Sequence, residues 1–177
     1  MSDIRLSNID DKNLREIWEL GYREEKPEWK KWDGPYFVDD YQKYVSYEDF
    51  KKNKGKFYKS ENVRAIIVEG KLVGIVTKYW EDEITRWLDI GITIFKSDNW
   101  NKNIGTTALA LWIDEIFDTT EKLEHIGLVT WSGNERMIKA SEKLGMKMEA
   151  KIRKVRYYQH TFYDSLTFGI LREEWEN

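Results

Sequence analysis

A chain of 177 residues has the length of one domain and enough apolar surface to build a core without covalent staples. Its 29 basic and 32 acidic residues leave a net charge of -3, so charge gives no case for nucleic acid or an anionic membrane as a partner. The absence of cysteine excludes disulfide frameworks, thiolate metal sites and cysteine nucleophiles.

The start, Met1 to Leu6, has neither the basic residues nor the apolar run of a leader, and no apolar stretch reaches membrane-spanning length, so a cytoplasmic protein is expected. Ile4 and Leu6 alternate with polar neighbours as a first strand. Asp10 or Asp11 can then cap a helix that places Leu14, Ile17, Trp18 and Tyr22 on one face. Pro27 to Phe37 holds both prolines of the chain and carries Trp29, Trp32 and Tyr36 with no regular period, which predicts an aromatic loop. Tyr41 to Tyr58 reads as a second helical stretch, its lysines 51, 52 and 54 a solvated face. The β-branched runs Val63 to Val68 and Leu72 to Trp80, joined by Glu69-Gly70-Lys71, predict a hairpin that leads through Glu81-Asp82-Glu83 to a further strand.

That strand, Trp87 to Phe95, puts Leu88, Ile90, Ile92 and Ile94 on one face and Asp89, Gly91 and Thr93 on the other. A polar loop, Lys96 to Asn103, then opens a helix at Ile104-Gly105-Thr106-Thr107, with Leu109, Trp112, Ile113 and Ile116 spaced to pack on a sheet. First-turn amides without intrahelical partners, a glycine that leaves approach open, the positive end of the dipole and Lys102 alongside suit a phosphate or diphosphate. Ile126 to Trp131 is the next strand, and Asn134 caps a helix that carries Met137, Ile138 and Leu144 and ends at Gly145. Met146 to Tyr157 and Phe162 to Leu171 close the chain as a hairpin. The element order predicts one α/β (α+β) domain over 1-177, with a mixed, mostly antiparallel sheet and a βαβ crossover at which a ligand would sit. His125 and His160 are not spaced as metal ligands, and no metal is expected.

Trp100-Asn101-Lys102-Asn103-Ile104-Gly105-Thr106 resembles the acyl-CoA loop of the GNAT acetyltransferase superfamily. Asn103 stands where the first glycine is usual, and Trp100 where arginine or glutamine is; tryptophan there is familiar in the RimJ/RimL-like branch. Asparagine visits left-handed backbone conformations more readily than most residues, so it can replace that glycine. Asn134 to Met146, an asparagine-capped helix closing on Lys143-Leu144-Gly145-Met146, resembles the family's second signature. The tail, with Arg153, Phe162 to Ser165 and Gly169 to Trp175, is similar to RimJ/RimL-type endings.

The resemblance implies a GNAT-like sheet with helices on both faces and acetyl transfer from acetyl-CoA to a primary amine by direct attack in a ternary complex. The acceptor would be a peptide N-terminus or a small-molecule amine, and a homodimer is compatible with the family. Residues Trp100 to Thr106 would hold the diphosphate, with Lys143 and Asn134 beside them, and the strand Ile92-Thr93-Ile94 would hold the pantetheine arm. Asp89 is the candidate base, with a purely structural role as its alternative and Glu81, Asp82 and Glu83 as the next carboxylates to consider. Ser141 occupies the position of the family's tyrosine acid but is too weak an acid to replace phenol simply, so either it holds a water, another tyrosine reaches in, or CoA leaves as thiolate; Trp29, Trp32 and Tyr36 are candidates to contact the acceptor or to bury against the first helix. The departures at Trp100, Asn103 and Ser141 leave open a second reading, a catalytically inactive module that binds acyl-CoA or another small ligand.

Overall fold

The computed structural model describes residues 3-37 and 40-177; Met1 and Ser2, read above for a leader, lie outside them. The strands are β1 (Ile4–Ser7), β2 (Val63–Val68), β3 (Lys71–Asp82), β4 (Trp87–Ile94), β5 (His125–Trp131), β6 (Lys147–Tyr158) and β7 (Thr161–Leu171). The helices are α1 (Asp11–Ile17), α2 (Tyr47–Tyr58), α3 (Ile104–Thr119), α4 (Glu135–Lys143) and α5 (Arg172–Trp175). All seven strands form one sheet in the order β1-β2-β3-β4-β5-β7-β6, antiparallel except for β4 beside β5. This is the mixed, mostly antiparallel sheet with a βαβ crossover expected from the sequence, with β7 inserted between β5 and β6.

Local chemistry explains most boundaries. Asp10 caps α1 by accepting from the Asn13 amide at 2.7 Å, and Asn134 caps α4 by accepting from that of Met137 at 3.2 Å. Gly145, at φ +78°, ends α4 in the left-handed conformation. Glu69 and Gly70 both have positive φ, the twist a two-residue hairpin needs between β2 and β3. The second helix is shorter than its sequence pattern: it starts at Tyr47, where Ser46 caps it through the Asp49 amide at 3.2 Å, and residues 41-46 are irregular.

Helices cover both faces. On one, α3 buries Ala108, Leu109, Trp112, Ile113 and Ile116 against Leu88, Ile90, Ile126, Leu128 and Phe168 of the sheet. On the other, Leu14 and Ile17 of α1 and Phe50 and Tyr58 of α2 pack over Val63, Ala65 and Ile75. Arg172 ties the chain end to α3 by donating to the carbonyls of Phe117, Thr120 and Leu123, which gives open C-terminal acceptors a cationic partner. Among the described residues no helix is long and apolar enough to cross a membrane.

Candidate active site

The two parallel strands touch at one end only. β4 and β5 pair at Leu88 with Ile126 and at Asp89 with Gly127, and beyond those pairs the strands part. A cavity of about 370 Å³ occupies the gap and is lined by every residue from Ile90 to Ile94 and from Leu128 to Trp131. Since successive strand residues face opposite sides of a sheet, a cavity touching all of them runs through it. On the α3 side it reaches Gly105, Leu109, Met137 and Ala140; on the other it reaches Tyr79 of β3, Arg156 of β6 and, with them, Trp29, Trp32, Asp33, Tyr36, Phe37 and Asp40. A second cavity of about 530 Å³ adjoins it over the start of α3 and includes Asn101, Asn103, Thr106 and Lys143.

The start of α3 is built for close approach. Asn101 and Asn103 both hold φ near +59°, so asparagine takes the left-handed turn in place of the usual glycine. A Cβ on Gly105 would meet only Ile94 Cδ1 at 3.6 Å and Ile92 Cδ1 at 3.7 Å, ordinary contacts, so the fold does not force a glycine there. What the missing side chain provides is open space, because Gly105 lines both cavities. The cationic partner differs from expectation: Lys102 is exposed and lines neither cavity, whereas Arg136, Lys139 and Lys143 of α4 line the second. Their i, i+3, i+7 spacing puts them on one helix face, a signal legible in the sequence that the motif alone did not bring out. Lys143 also donates to Asn103 Oδ1 at 2.9 Å and ties the two motifs together.

Two further expected contacts are committed within the protein. The Ile94 carbonyl accepts the Trp100 indole N–H at 3.0 Å, which explains a tryptophan at that position of the loop. Asn134 uses Oδ1 for its own helix cap and Nδ2 to donate to the Trp32 carbonyl at 3.2 Å. Both ends of its amide therefore have protein partners.

The aromatic loop forms the opposite wall. Trp29 is 7% exposed, packs on the rings of Tyr22 and Tyr41 and donates to the Gly21 carbonyl at 3.0 Å, so it anchors the loop to the first helical segment. Glu28 accepts from the backbone N–H of Ser97 at 2.9 Å, which holds its carboxyl below the usual range and pins the loop to the end of β4. Tyr36 and Phe37 carry the Arg156 guanidinium at 5.1 and 5.2 Å from their ring centres, and its Nε is sealed from solvent without a partner. Asp33 and Asp40, bridged by Lys30 at 3.8 and 3.4 Å, add carboxylates to the same wall.

Asp89 sits below the cavity rather than in its lining. It is 1% exposed, its Oδ1 has no hydrogen-bond partner, and it lies two residues before Gly91 on the same face of β4. Burial, with the Glu81 charge next, raises its carboxyl above the usual range, which makes it a stronger base than a surface carboxylate. Tyr79, its cross-strand partner, does line the cavity, and its hydroxyl is pushed up to about 12 by burial and then by Asp89, so it stays protonated at neutral pH. Ser141, next to cavity-lining Ala140, is fully buried with a partnerless hydroxyl and lines neither cavity. Of the two histidines, His125 pairs with Glu149 at 2.9 Å and His160 lies 3.5 Å from the Tyr157 hydroxyl.

Comparison with known proteins agrees with this fold. Residues 3–147 match the family model described as "Acetyltransferase (GNAT) domain". Over 111 residues the chain is 28% identical to the "Putative ribosomal N-acetyltransferase YdaF" of Bacillus subtilis, a match spanning 63% of this chain and 60% of that protein. The structure of spermidine N-acetyltransferase from Vibrio cholerae in complex with CoA and spermine superposes with a TM-score of 0.75, at 19% identity and 98% of both chains. A GNAT-family acetyltransferase from Bacillus anthracis superposes at 0.73, with 20% identity and the same coverage of each chain.

Proposed function

Because the chain belongs to the GNAT acetyltransferase family, we propose that it transfers the acetyl group of acetyl-CoA to a primary amine, by direct attack within a ternary complex. The observation that carries this reading is the cavity through the sheet. One side offers helix-start amides and the cations of α4, and the other offers aromatic rings and carboxylates, so two substrates can meet in the gap between β4 and β5.

The residues divide the work accordingly. The free amides at Gly105 and Thr106, with Arg136, Lys139 and Lys143, bind the diphosphate. The backbone of Ile92 and Thr93 lies along the pantetheine arm, and an N–H of β4 polarises the thioester carbonyl as charge develops on it. Asp33 and Asp40 attract the ammonium form of the acceptor, and Asp89 takes its proton by way of water or the Tyr79 hydroxyl. Ser141, with its hydroxyl outside both cavities, takes no part at the sulfur, and CoA leaves as thiolate.

We place the acceptor in the class of peptide N-termini, within the RimJ/RimL-like branch and the cytoplasm, with residues 1-177 acting as one domain. Arg156 supports this class: its partnerless Nε needs an acceptor oxygen, which an α-amine with its neighbouring peptide carbonyl supplies and a polyamine does not. The YdaF match points the same way. A polyamine acceptor is favoured instead by the two carboxylates and the aromatic faces, which suit a chain of ammonium groups. The test is thiol release from acetyl-CoA with a panel of free peptides, the same peptides blocked at the N-terminus, and spermidine. Turnover with free peptides alone is expected. Turnover with spermidine alone would replace the acceptor class, and no release with any amine would leave a binding module.

A further inference from the structure

Trp32 and Arg136 meet where the two cavities join, and each buries a donor that the protein does not use. The Trp32 indole Nε1 and one guanidinium nitrogen of Arg136, Nη1, are sealed from solvent with no hydrogen-bond partner. Both residues line both cavities. The Arg136 guanidinium stands 4.6 Å from the Trp32 ring centre and 4.2 Å from that of Trp100. Buried N–H groups are almost always paired, so two unpaired donors on neighbouring residues of a cavity wall mark the place of a ligand acceptor.

Trp32 belongs to the acceptor loop in sequence but not in position. Its carbonyl accepts from the indole of Trp131 at 2.9 Å and from Asn134 at 3.2 Å, which fixes the residue over the start of α4. Lys31, the next residue back, holds its ammonium 4.7 Å from the Trp100 ring centre. The second cavity has three cations, Arg136, Lys139 and Lys143, against the single carboxylate of Glu135, so the acceptor suited to these donors is an anion.

We propose that Trp32 Nε1 and Arg136 Nη1 together bind the phosphate oxygens of CoA where its diphosphate meets the pantetheine arm. The acceptor loop is then part of the cofactor site, and cofactor binding completes the wall on which the acceptor rests. This inference rests on the acetyl-CoA reading above. It reassigns Trp32 from acceptor to cofactor and accounts for a ring that touches both cavities.

The experiment is calorimetric titration of the folded protein with CoA, which binds without turnover, for the wild type, Trp32→Phe and Arg136→Gln. Trp32→Phe keeps an aromatic ring and removes only the indole N–H. Each variant should bind CoA about tenfold or more weakly, as expected for loss of a hydrogen bond to a charged group. Competition with 4′-phosphopantetheine should show the same loss, while pantetheine, which lacks the phosphate, should bind variants and wild type alike. A wild type that fails to bind CoA would overturn the acetyl-CoA reading. A wild type that binds CoA, beside a folded Trp32→Phe of unchanged affinity, would overturn this inference alone. If Arg136→Gln does not fold, Trp32→Phe decides the matter by itself.

Discussion

Gly127→Ala probes the proposed base without touching it. A Cβ at Gly127 would lie 2.1 Å from Asp89 Oδ1 and 3.1 Å from its Cγ. Comfortable non-bonded separations are about 3.5 Å, so the carboxylate would have to retreat by well over 1 Å. It has little room to do so, being 1% exposed and flanked by the strand pair Asp89 with Gly127. Overpacking of this kind costs about 1–3 kcal/mol, which in a domain of this size lowers the melting temperature by roughly 2–12 °C. A catalytic group displaced by about 1 Å costs on the order of 100-fold in rate, equivalent to about 2.7 kcal/mol of barrier. Thermal unfolding and steady-state thiol release would read the two effects separately, and calorimetry should find CoA affinity unchanged. The control is Gly127→Ala in an Asp89→Ala background: with the carboxylate gone, the stability penalty should largely vanish, a coupling on the order of 1 kcal/mol or more. A Gly127→Ala protein that melts and turns over like wild type would refute the placement of Asp89 against β5. A rate loss of equal size in both backgrounds would show that the effect does not run through Asp89.

Asp89→Asn should lower turnover by about two to four orders of magnitude at neutral pH, with partial recovery at high pH where the amine deprotonates unaided. The raised carboxyl of Asp89 favours the protonated form in the fold, so its stabilising contribution is fully present below the ordinary aspartate value and is lost as pH rises through the raised one; thermal unfolding should therefore find Asp89→Asn melting above wild type at neutral pH, with the gap closing in acid. Gly105→Trp fills space shared by both cavities and should weaken CoA binding more than tenfold by calorimetry, whereas Lys102→Glu, outside both, should change it by no more than a fewfold. Trp29→Ala removes a buried anchor and should cost about 3–5 kcal/mol in denaturant unfolding, while Tyr36→Ala should raise the apparent KM for the acceptor and leave CoA affinity unchanged.

The sequence alone determined what depends on near neighbours. Period-two alternation marks the first strand and Trp87 to Phe95, β-branched runs mark the hairpin from Val63 to Trp80, and helical spacing marks the longer helices, because a residue's face follows from the geometry of its own element. Asp10, Asn134, Gly145 and the Glu69-Gly70 turn act within a few residues of themselves, and so does the left-handed turn at Asn103. The second helix shows the limit of such reasoning: residues 41-46 fit its pattern, but the Ser46 cap sets the boundary.

Only the tertiary structure decided what depends on distant partners. β4 and β5 share two residue pairs and then separate, and no residue in either strand announces it. Asp89 sits on the face of β4 that the sequence pattern marks as polar, yet it is buried because Gly127, 38 positions away, has no side chain. Trp32 lines both cavities with its carbonyl held by Trp131 and Asn134 from the far end of the chain. Local periodicity reports the direction of a side chain, whereas burial and partnership are set by which elements the sheet order brings against it.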